Sequence, residues 1–313
     1  MNDGPLAEHV PLGATDIQIS PLGIGTWAWG DRFYWGYGRE YGEDDVQAAF
    51  GLALDRNVNF FDTAEVYGFG RSERLLGQAL RDSGKPAVVA TKFMPLPWRL
   101  RRASLRRALR GSLRRLGVQQ VDLYQIHWPF PPVPIERWMH ALADAVEEGL
   151  VRAVGVSNYN VDQLRRAHEA LAKRGVPLAS NQVEYSLLQR GPERSGLLAA
   201  CRDLSVTLIA YSPLGQGLLT GKYTAGHPPP GARRRRARRL GSIEPLIGLL
   251  RQIGEAHGGK TPAQVALNWT ICKGTVPIPG AKNARQAEDN AGALGWRLAD
   301  DEVAALDAAS EAL

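Results

Sequence analysis

Residues 87–128 read AVVATKFMPLPWRLRRASLRRALRGSLRRLGVQQVDLYQIHW. The run Ala87–Phe93 is short and apolar, and Val121–Trp128 repeats that character. Between them Leu105, Leu109, Leu113 and Leu116 recur at helical spacing and leave Arg102, Arg106 and Arg110 on another face. Strand, amphipathic helix and strand make up the unit of a parallel sheet, and an uninterrupted stretch such as Val88–Val89–Ala90 suits a strand covered on both faces.

The same alternation extends both ways. Further strands are expected at Leu22–Gly25, Asn59–Thr63, Ala153–Ser157, Ser180–Glu184, Thr207–Ser212 and Thr275–Pro279. Helical patterns fall near Asp44–Arg56, Ser72–Arg81, Ala103–Leu116, Ile135–Glu148, Val161–Arg174, Arg194–Asp203, Pro262–Ile271 and Ala284–Ala291. Eight strands with eight helices predict an α/β fold, a (β/α)8 TIM barrel. An open doubly wound sheet has the same alternation, so closure stays open at this point. Val10–Leu12 and Ile17–Ile19 around Gly13–Ala14 predict an N-terminal hairpin, and Asp300–Ala309 an extra C-terminal helix with Asp300 as its N-cap. Nothing reads as a linker, so residues 1–313 are expected to form one domain.

Composition narrows the function classes. The 313 residues are 44% hydrophobic and 22% charged, an ordinary globular balance. No apolar run approaches a membrane span, and the first thirty residues have neither the basic head nor the apolar stretch of a signal peptide. Cys201 and Cys272 form no CxxC pair. A cytoplasmic protein is the expectation. The net charge of +6 comes with 31 Arg and 7 Lys, and fourteen of the arginines crowd into Trp98–Leu116 and Arg233–Arg239. A polyanion-binding surface is one reading. The plainer one is a solvated helix face plus a mobile loop, and the lack of aromatic residues interleaved within those stretches counts against nucleic acid.

Several motifs fail on their surroundings. Residues 254–261 match GxxxxGK[ST], but Leu246, Leu249, Leu250 and Ile253 deliver them from a helix rather than a strand. Gly258–Gly259 reads as a helix stop, with Thr261 as N-cap and Pro262 opening the next helix. No GxGxxG occurs, and no two histidines have the spacing of a helical metal site, so no metal is expected.

One constellation survives. Asp62 closes the second strand with Tyr67 in the following loop, Lys92 closes the third, and His127–Trp128 the fourth. In a barrel these ends share one mouth. Asp62 and Lys92 each follow apolar residues, where an unpaired charge is costly, so they are expected to pair. The ammonium is expected to lower the Tyr67 phenol from its ordinary value of about 10. Such a tyrosine can give a proton to a developing alkoxide, with His127 as a second donor. A structural ion pair, a core-capping His127 and a loop Tyr67 are the plainer readings of the same residues.

These residues, and the blocks LGIGTW (Leu22–Trp27), GVSNY, YSPLGQGLLTGK and PGAKNARQAEDN (Pro279–Asn290), resemble the aldo-keto reductases over nearly the whole chain. The long segment after the seventh strand looks more like the potassium-channel β-subunit and plant pyridoxal reductase branches than the aldose reductase branch. The resemblance implies reduction of an aldehyde or ketone with NADP(H), Asp62, Tyr67, Lys92 and His127 being catalytic and Tyr67 the general acid. It implies that Gly25, Thr26 and Trp27 line the nicotinamide end, with Asp62 close by. Ser157, Asn158 and Gln182 would hold the carboxamide and Tyr211 would stack on the ring. Ser212, Leu214 and Lys222 would reach the pyrophosphate. Gly280, Ala281, Lys282, Gln286, Asp289 and Asn290 would hold the adenosine and its phosphate, at a helix N-terminus near Asn283.

Trp27, Tyr67, His127 and Trp128 are the substrate candidates, with Trp29, Tyr34, Trp35 and Trp98 as further aromatic residues of the mouth, Trp29 and Trp35 being equally suited to cover the core edge. They suit planar or apolar carbonyls: pyridoxal, sugar or aromatic aldehydes. The alternative is an NADP(H)-binding sensor or regulatory subunit with little turnover. The oligomeric state is not readable.

Overall fold

A computed structural model describes residues 9–224, 226–311 and 313, apart from the side chains of Ala232, Arg236 and Ala237. The first eight residues, part of the stretch read for a signal peptide, lie outside the described residues. A short antiparallel hairpin, β1 (Val10–Pro11) and β2 (Gln18–Ile19), precedes eight parallel strands. These are β3 (Ile24–Gly25), β4 (Phe60–Asp62), β5 (Val88–Phe93), β6 (Val121–Ile126), β7 (Val151–Ser157), β8 (Leu178–Glu184), β9 (Thr207–Tyr211) and β10 (Val276–Ile278). They pair in chain order. The N–H groups of Gly23 and Gly25 donate to the carbonyls of Pro277 and Pro279, both at 2.9 Å, and Gly25 pairs in parallel with Gly280. Those bonds join the first barrel strand to the last, which rules out the open sheet. The fold is a (β/α)8 barrel.

The helices are α1 (Glu43–Asp55), α2 (Arg71–Ser83), α3 (Arg102–Leu116), α4 (Ile135–Glu147), α5 (Val161–Ala172), α6 (Gly191–Arg194), α7 (Leu197–Asp203), α8 (Leu240–Ala256), α9 (Pro262–Cys272), α10 (Ala284–Ala291) and α11 (Asp300–Glu311). The bottom of the barrel is filled from inside by Phe60, Ala90, Leu123, Ala153, Ala179 and Ile209, and the hairpin caps them with Leu12, Ile17 and Ile19. Gly13 makes that cap fit. It sits at φ +57°, and a Cβ there would lie 2.4 Å from the Ala179 carbonyl oxygen.

Three expectations need correction. The helix expected over Arg194–Asp203 is broken, because Gly196 takes a left-handed φ of 74° between α6 and α7. Asp300 is the first residue of α11 rather than its cap, since the Ala299 carbonyl already accepts the N–H of Val303 at 3.0 Å. The arginine run after β9 is not an irregular loop; Gly231–Arg239 winds in 3-10 turns directly into α8. The helix-face arginines follow the plainer reading, a solvated face: Arg102 pairs with Asp144, and Arg106 and Arg110 with Glu148, both acids on or just past α4. Such exposed pairs add little stability, and they offset part of the charge on that face.

The phosphate-loop match dissolves as expected. Between α8 and α9, Gly258 and Gly259 take φ of 74° and 83°, and the Thr261 hydroxyl accepts the N–H of Gln264 at 3.2 Å. Gly254 is required because the Lys260 carbonyl oxygen would lie 2.0 Å from a Cβ. Among the described residues no helix is long and apolar enough to cross a membrane.

Candidate active site

The C-terminal strand ends open on one large cavity of about 1640 Å³. At its floor β4 delivers Asp62, β5 delivers Lys92, and β6 ends one residue before His127. Lys92 is fully buried, and its ammonium donates to Asp62 Oδ1 at 2.5 Å, the Thr63 carbonyl at 2.8 Å and Tyr67 Oη at 3.2 Å. Burial pulls the Lys92 pKa down, but Asp62 and Tyr67 outweigh it and hold the group above its ordinary value. The four expected side chains are together.

Their titration differs from expectation in one respect. Burial pushes the Tyr67 phenol up by more than the Lys92 ammonium pulls it down, so it stands above rather than below its ordinary value. His127 is pushed down to about 3, by burial first and the Lys92 charge second. Its ring meets that of Tyr67 edge-on at 5.8 Å, and its buried Nδ1 has no partner. A neutral phenol and a neutral imidazole thus stand beside a fixed ammonium. This arrangement can deliver a proton to an oxygen that gains negative charge and stabilise the phenolate left behind.

Beyond the floor the cavity runs as a groove along β7 to β10. Gly25, Ser157, Asn158, Gln182 and Tyr211 line its inner part. Asn158, at φ 64°, accepts the Tyr211 hydroxyl at 3.0 Å and donates to the His127 carbonyl at 3.1 Å. Burial pushes the Tyr211 phenol up to about 12. Gln182 donates its amide to Asp62 Oδ2 at 2.8 Å, which ties the groove to the floor. Ser212, Leu214 and Lys222 line the cavity after β9, and Gly280, Lys282, Gln286, Asp289 and Asn290 after β10.

Thr26 and Ala281 do not line the cavity. The buried Thr26 hydroxyl donates to the Asp62 carbonyl at 3.0 Å, and the Ala281 carbonyl accepts the Trp29 indole N–H at 2.7 Å. Two residues after β10 also carry structural bonds: Asn290 donates to the Gly280 carbonyl at 3.2 Å, and Asp289 accepts from the Thr261 hydroxyl at 3.0 Å.

The mouth is aromatic. Trp27 stacks on Tyr34 at 5.3 Å and meets Trp35 edge-on at 5.4 Å, while Trp128 stacks on Phe130 at 5.6 Å. Trp29 belongs to the core, the second of its two expected places, and Trp98 stands exposed away from the cavity lining instead of serving the mouth.

Three residues escaped sequence reasoning. Glu65 accepts the Met94 N–H at 2.8 Å and Arg99 at 2.5 Å, fastening the Tyr67 segment to the end of β5. Gln125, buried in β6, donates to Asp62 Oδ2 at 3.2 Å. Arg233, one of the six clustered arginines, is buried against the rings of Trp35 and Tyr223 at 5.0 and 5.9 Å, with Nε unpartnered. The available signals were an acid inside the Asp62–Tyr67 segment and a polar residue inside an apolar strand. For Arg233 the sequence offers none, because its five clustered neighbours look alike.

Comparison with known proteins gives a consistent result. The model of the Aldo/keto reductase family matches residues 21–311. A chloroplastic pyridoxal reductase of Arabidopsis thaliana is 47% identical over 309 residues, covering 94% of this chain and 84% of its own. An NADH-specific methylglyoxal reductase of Escherichia coli is 32% identical, covering 98% and 99%. Of solved structures, an aldo/keto reductase from Klebsiella pneumoniae in complex with NADP and acetate superposes with a TM-score of 0.76 at 29% identity, over 97% of this chain and 95% of that one.

Proposed function

The chain belongs to the aldo/keto reductase family, and on that premise we propose that it reduces an aromatic aldehyde, pyridoxal first, to the alcohol with NADPH. The observation that carries the reading is the array of Asp62, Lys92, Tyr67 and neutral His127 at the floor of one aromatic-mouthed cavity. Bound NADPH supplies the hydride. Tyr67 gives its proton to the carbonyl oxygen, Lys92 stabilises the phenolate, Asp62 fixes Lys92, and neutral His127 directs a hydrogen bond at the same oxygen. Trp27 and Trp128 flank the substrate. The substrate choice leans on the plant relative named for pyridoxal.

The groove fits the cofactor. The amides of Asn158 and Gln182, the Ser157 hydroxyl and the cations Lys222, Arg233, Lys282 and Arg285 line one cavity, beside the acids Glu40, Glu184, Glu288 and Asp289; the amides suit a neutral carboxamide and the cations suit phosphates. In this reading Ser157, Asn158 and Gln182 hold the carboxamide, and Tyr211 packs on the ring. Gly25 and the Thr26 backbone border that end. Ser212, Leu214, Lys222 and Arg233 face the pyrophosphate. Gly280, Lys282, Gln286, Asp289 and Asn290 face the adenosine and its phosphate, with Ala281 behind them. NADPH is preferred over NADH because residues 280–286 contain Lys282 and Arg285 and no acid.

One domain carries both sites, and the reaction is placed in the cytoplasm, where free thiols such as Cys201 and Cys272 are at home; the plant relative is chloroplastic. The deciding experiment follows loss of NADPH, then NADH, against pyridoxal, benzaldehydes and sugar aldehydes. Turnover of pyridoxal with NADPH is expected. Tight NADPH binding without turnover of any carbonyl would replace this reading with the regulatory-subunit one.

A further inference from the structure

Asp62 is held from two sides. Lys92 takes Oδ1, while Oδ2 accepts two side-chain amides, Gln182 of β8 at 2.8 Å and Gln125 of β6 at 3.2 Å. Gln125 lies in an inward-facing row, because Lys92 pairs in register with Gln125, Gln125 with Gly155, and Gly155 with Ser180. The row needs a glycine in β7: a Cβ on Gly155 would lie 2.2 Å from Ser180 Oγ and 3.1 Å from Gln125 Cγ. Ser180 in turn donates to Gln125 Oε1 at 3.3 Å. The Asp62 carboxylate, which only accepts, sets which end of the amide faces it, since the flipped amide would turn an oxygen on the carboxylate, and the Ser180 hydroxyl completes that orientation by donating to Oε1.

We propose that Gln125 is a positioning residue for carbonyl reduction: its amide holds Asp62 as the carboxylate and so keeps Lys92 charged and directed at Tyr67. The inference rests on the reading of Tyr67 as proton donor. A buried carboxylate–ammonium pair has a neutral alternative in which one Lys92 N–H proton crosses to Asp62 Oδ1, leaving amine beside carboxylic acid. Hydrogen bonds donated to the carboxylate oppose that transfer. Gln182 lies in the groove proposed for the carboxamide, so its hold on Asp62 is shared with a ligand. Gln125 does not line the cavity and serves Asp62 alone. The other titratable groups near the pair are Tyr67 and His127, with Tyr211 of β9 beyond Tyr67 and Glu184 of β8 acting on Tyr211.

With only seven lysines in the chain, isotope-labelled lysine side chains give a resolvable nuclear magnetic resonance spectrum, and Lys92→Met assigns the signal. In Gln125→Met, close in shape but without the donor, Lys92 is expected to lose its charge about one pH unit lower than in the unmodified protein, about a tenfold change in the protonation equilibrium. Ser180→Ala should shift it the same way by less. Lys92 stands above its ordinary value and stays charged at neutral pH in both proteins, so pyridoxal turnover there should change little, while its alkaline fall should begin about one pH unit lower in Gln125→Met, with NADPH affinity unchanged. A folded Gln125→Met with an unshifted Lys92 signal overturns the inference. If that variant does not fold, an unshifted signal in Ser180→Ala does the same. Should the unmodified protein reduce no carbonyl, the reaction reading fails while the lysine titration still decides where Gln125 holds the charge.

Discussion

The floor of the cavity and its outer wall both carry cations, and they treat them differently. At the floor Lys92 has a carboxylate, a carbonyl and a phenol as acceptors, and Asp62 takes donors on both oxygens. On the wall Arg233 rests on two aromatic rings with its Nε unpartnered. Lys282 leans on the Trp35 carbonyl at 2.6 Å and the Tyr41 ring at 4.6 Å, with Glu40 at 3.4 Å. A cation–π contact, about 0.5–2 kcal/mol, orients a charge without neutralising it. The contrast separates a buried charge paired within the fold from wall charges held by rings, a carbonyl and, for Lys282, one exposed carboxylate; in the proposed reaction the first serves proton transfer and the second a ligand that arrives and leaves. Changes at the floor should therefore alter rate and stability, and changes on the wall affinity.

Lys92→Met should have the largest effect. It leaves Asp62 buried without its counter-ion, a loss of about 3–5 kcal/mol for a broken buried pair, and removes the charge that steadies the Tyr67 phenolate. Melting temperature and kcat should both fall. Tyr67→Phe keeps the ring and removes one hydroxyl, so kcat should drop by roughly 10²–10⁴ with melting temperature and NADPH affinity nearly unchanged. Calorimetry and turnover on both variants separate the roles. A Tyr67→Phe protein that kept near-full turnover at neutral pH would move the proton source to His127 and undo the contrast at its centre.

The floor was legible in the sequence and the wall only partly so, for a physical reason. Asp62, Lys92 and His127 sit at the ends of apolar runs, where a polar residue is conspicuous because burial makes it costly. Barrel geometry then converts separation in sequence into neighbourhood. The direction of the Tyr67 shift was missed because the ammonium is visible in sequence and the depth of burial is not. On the wall, Arg233 differs from Arg234 and Arg235 only by the 3-10 turns that bury one and expose the others. Nor does a local pattern reveal that Thr26 and Ala281 face the core while their neighbours Gly25 and Gly280 face the groove.

A smaller effect should test the wall. Lys282→Ala should weaken NADPH more than NADH, narrowing the preference about tenfold if the ammonium makes one charge-assisted contact to the adenosine phosphate. Glu40→Gln should act in the opposite sense, since it removes the acid that competes for Lys282. Fluorescence titration with both cofactors measures each. Equal affinities for NADPH and NADH in the unmodified protein would break this half of the comparison, as would a Lys282→Ala protein with full discrimination whose Arg285 had also been removed.

The smallest effect concerns the arginine run itself. Arg234, Arg235 and Arg238 are exposed, whereas Arg233 anchors the same 3-10 turns to the groove. Trypsin needs a locally opened chain, so cleavage within residues 233–239 reports how firmly that segment is held. A ligand that binds only the closed segment, at about a hundred times its Kd, would slow opening by at most about a hundredfold. Coupling through Arg233 alone should transmit a fraction of that, roughly three- to tenfold. Fragment masses over time, with and without saturating NADPH, give the ratio at this segment against cleavage elsewhere in the chain. Arg233→Ala leaves the exposed arginines in place and should abolish the protection, which distinguishes anchoring from general stabilisation of the barrel by the cofactor. Cleavage at the same rate in both states would mean that the segment is a solvated run of charge, and that incomplete pairing of Arg233 is no sign of an awaited ligand.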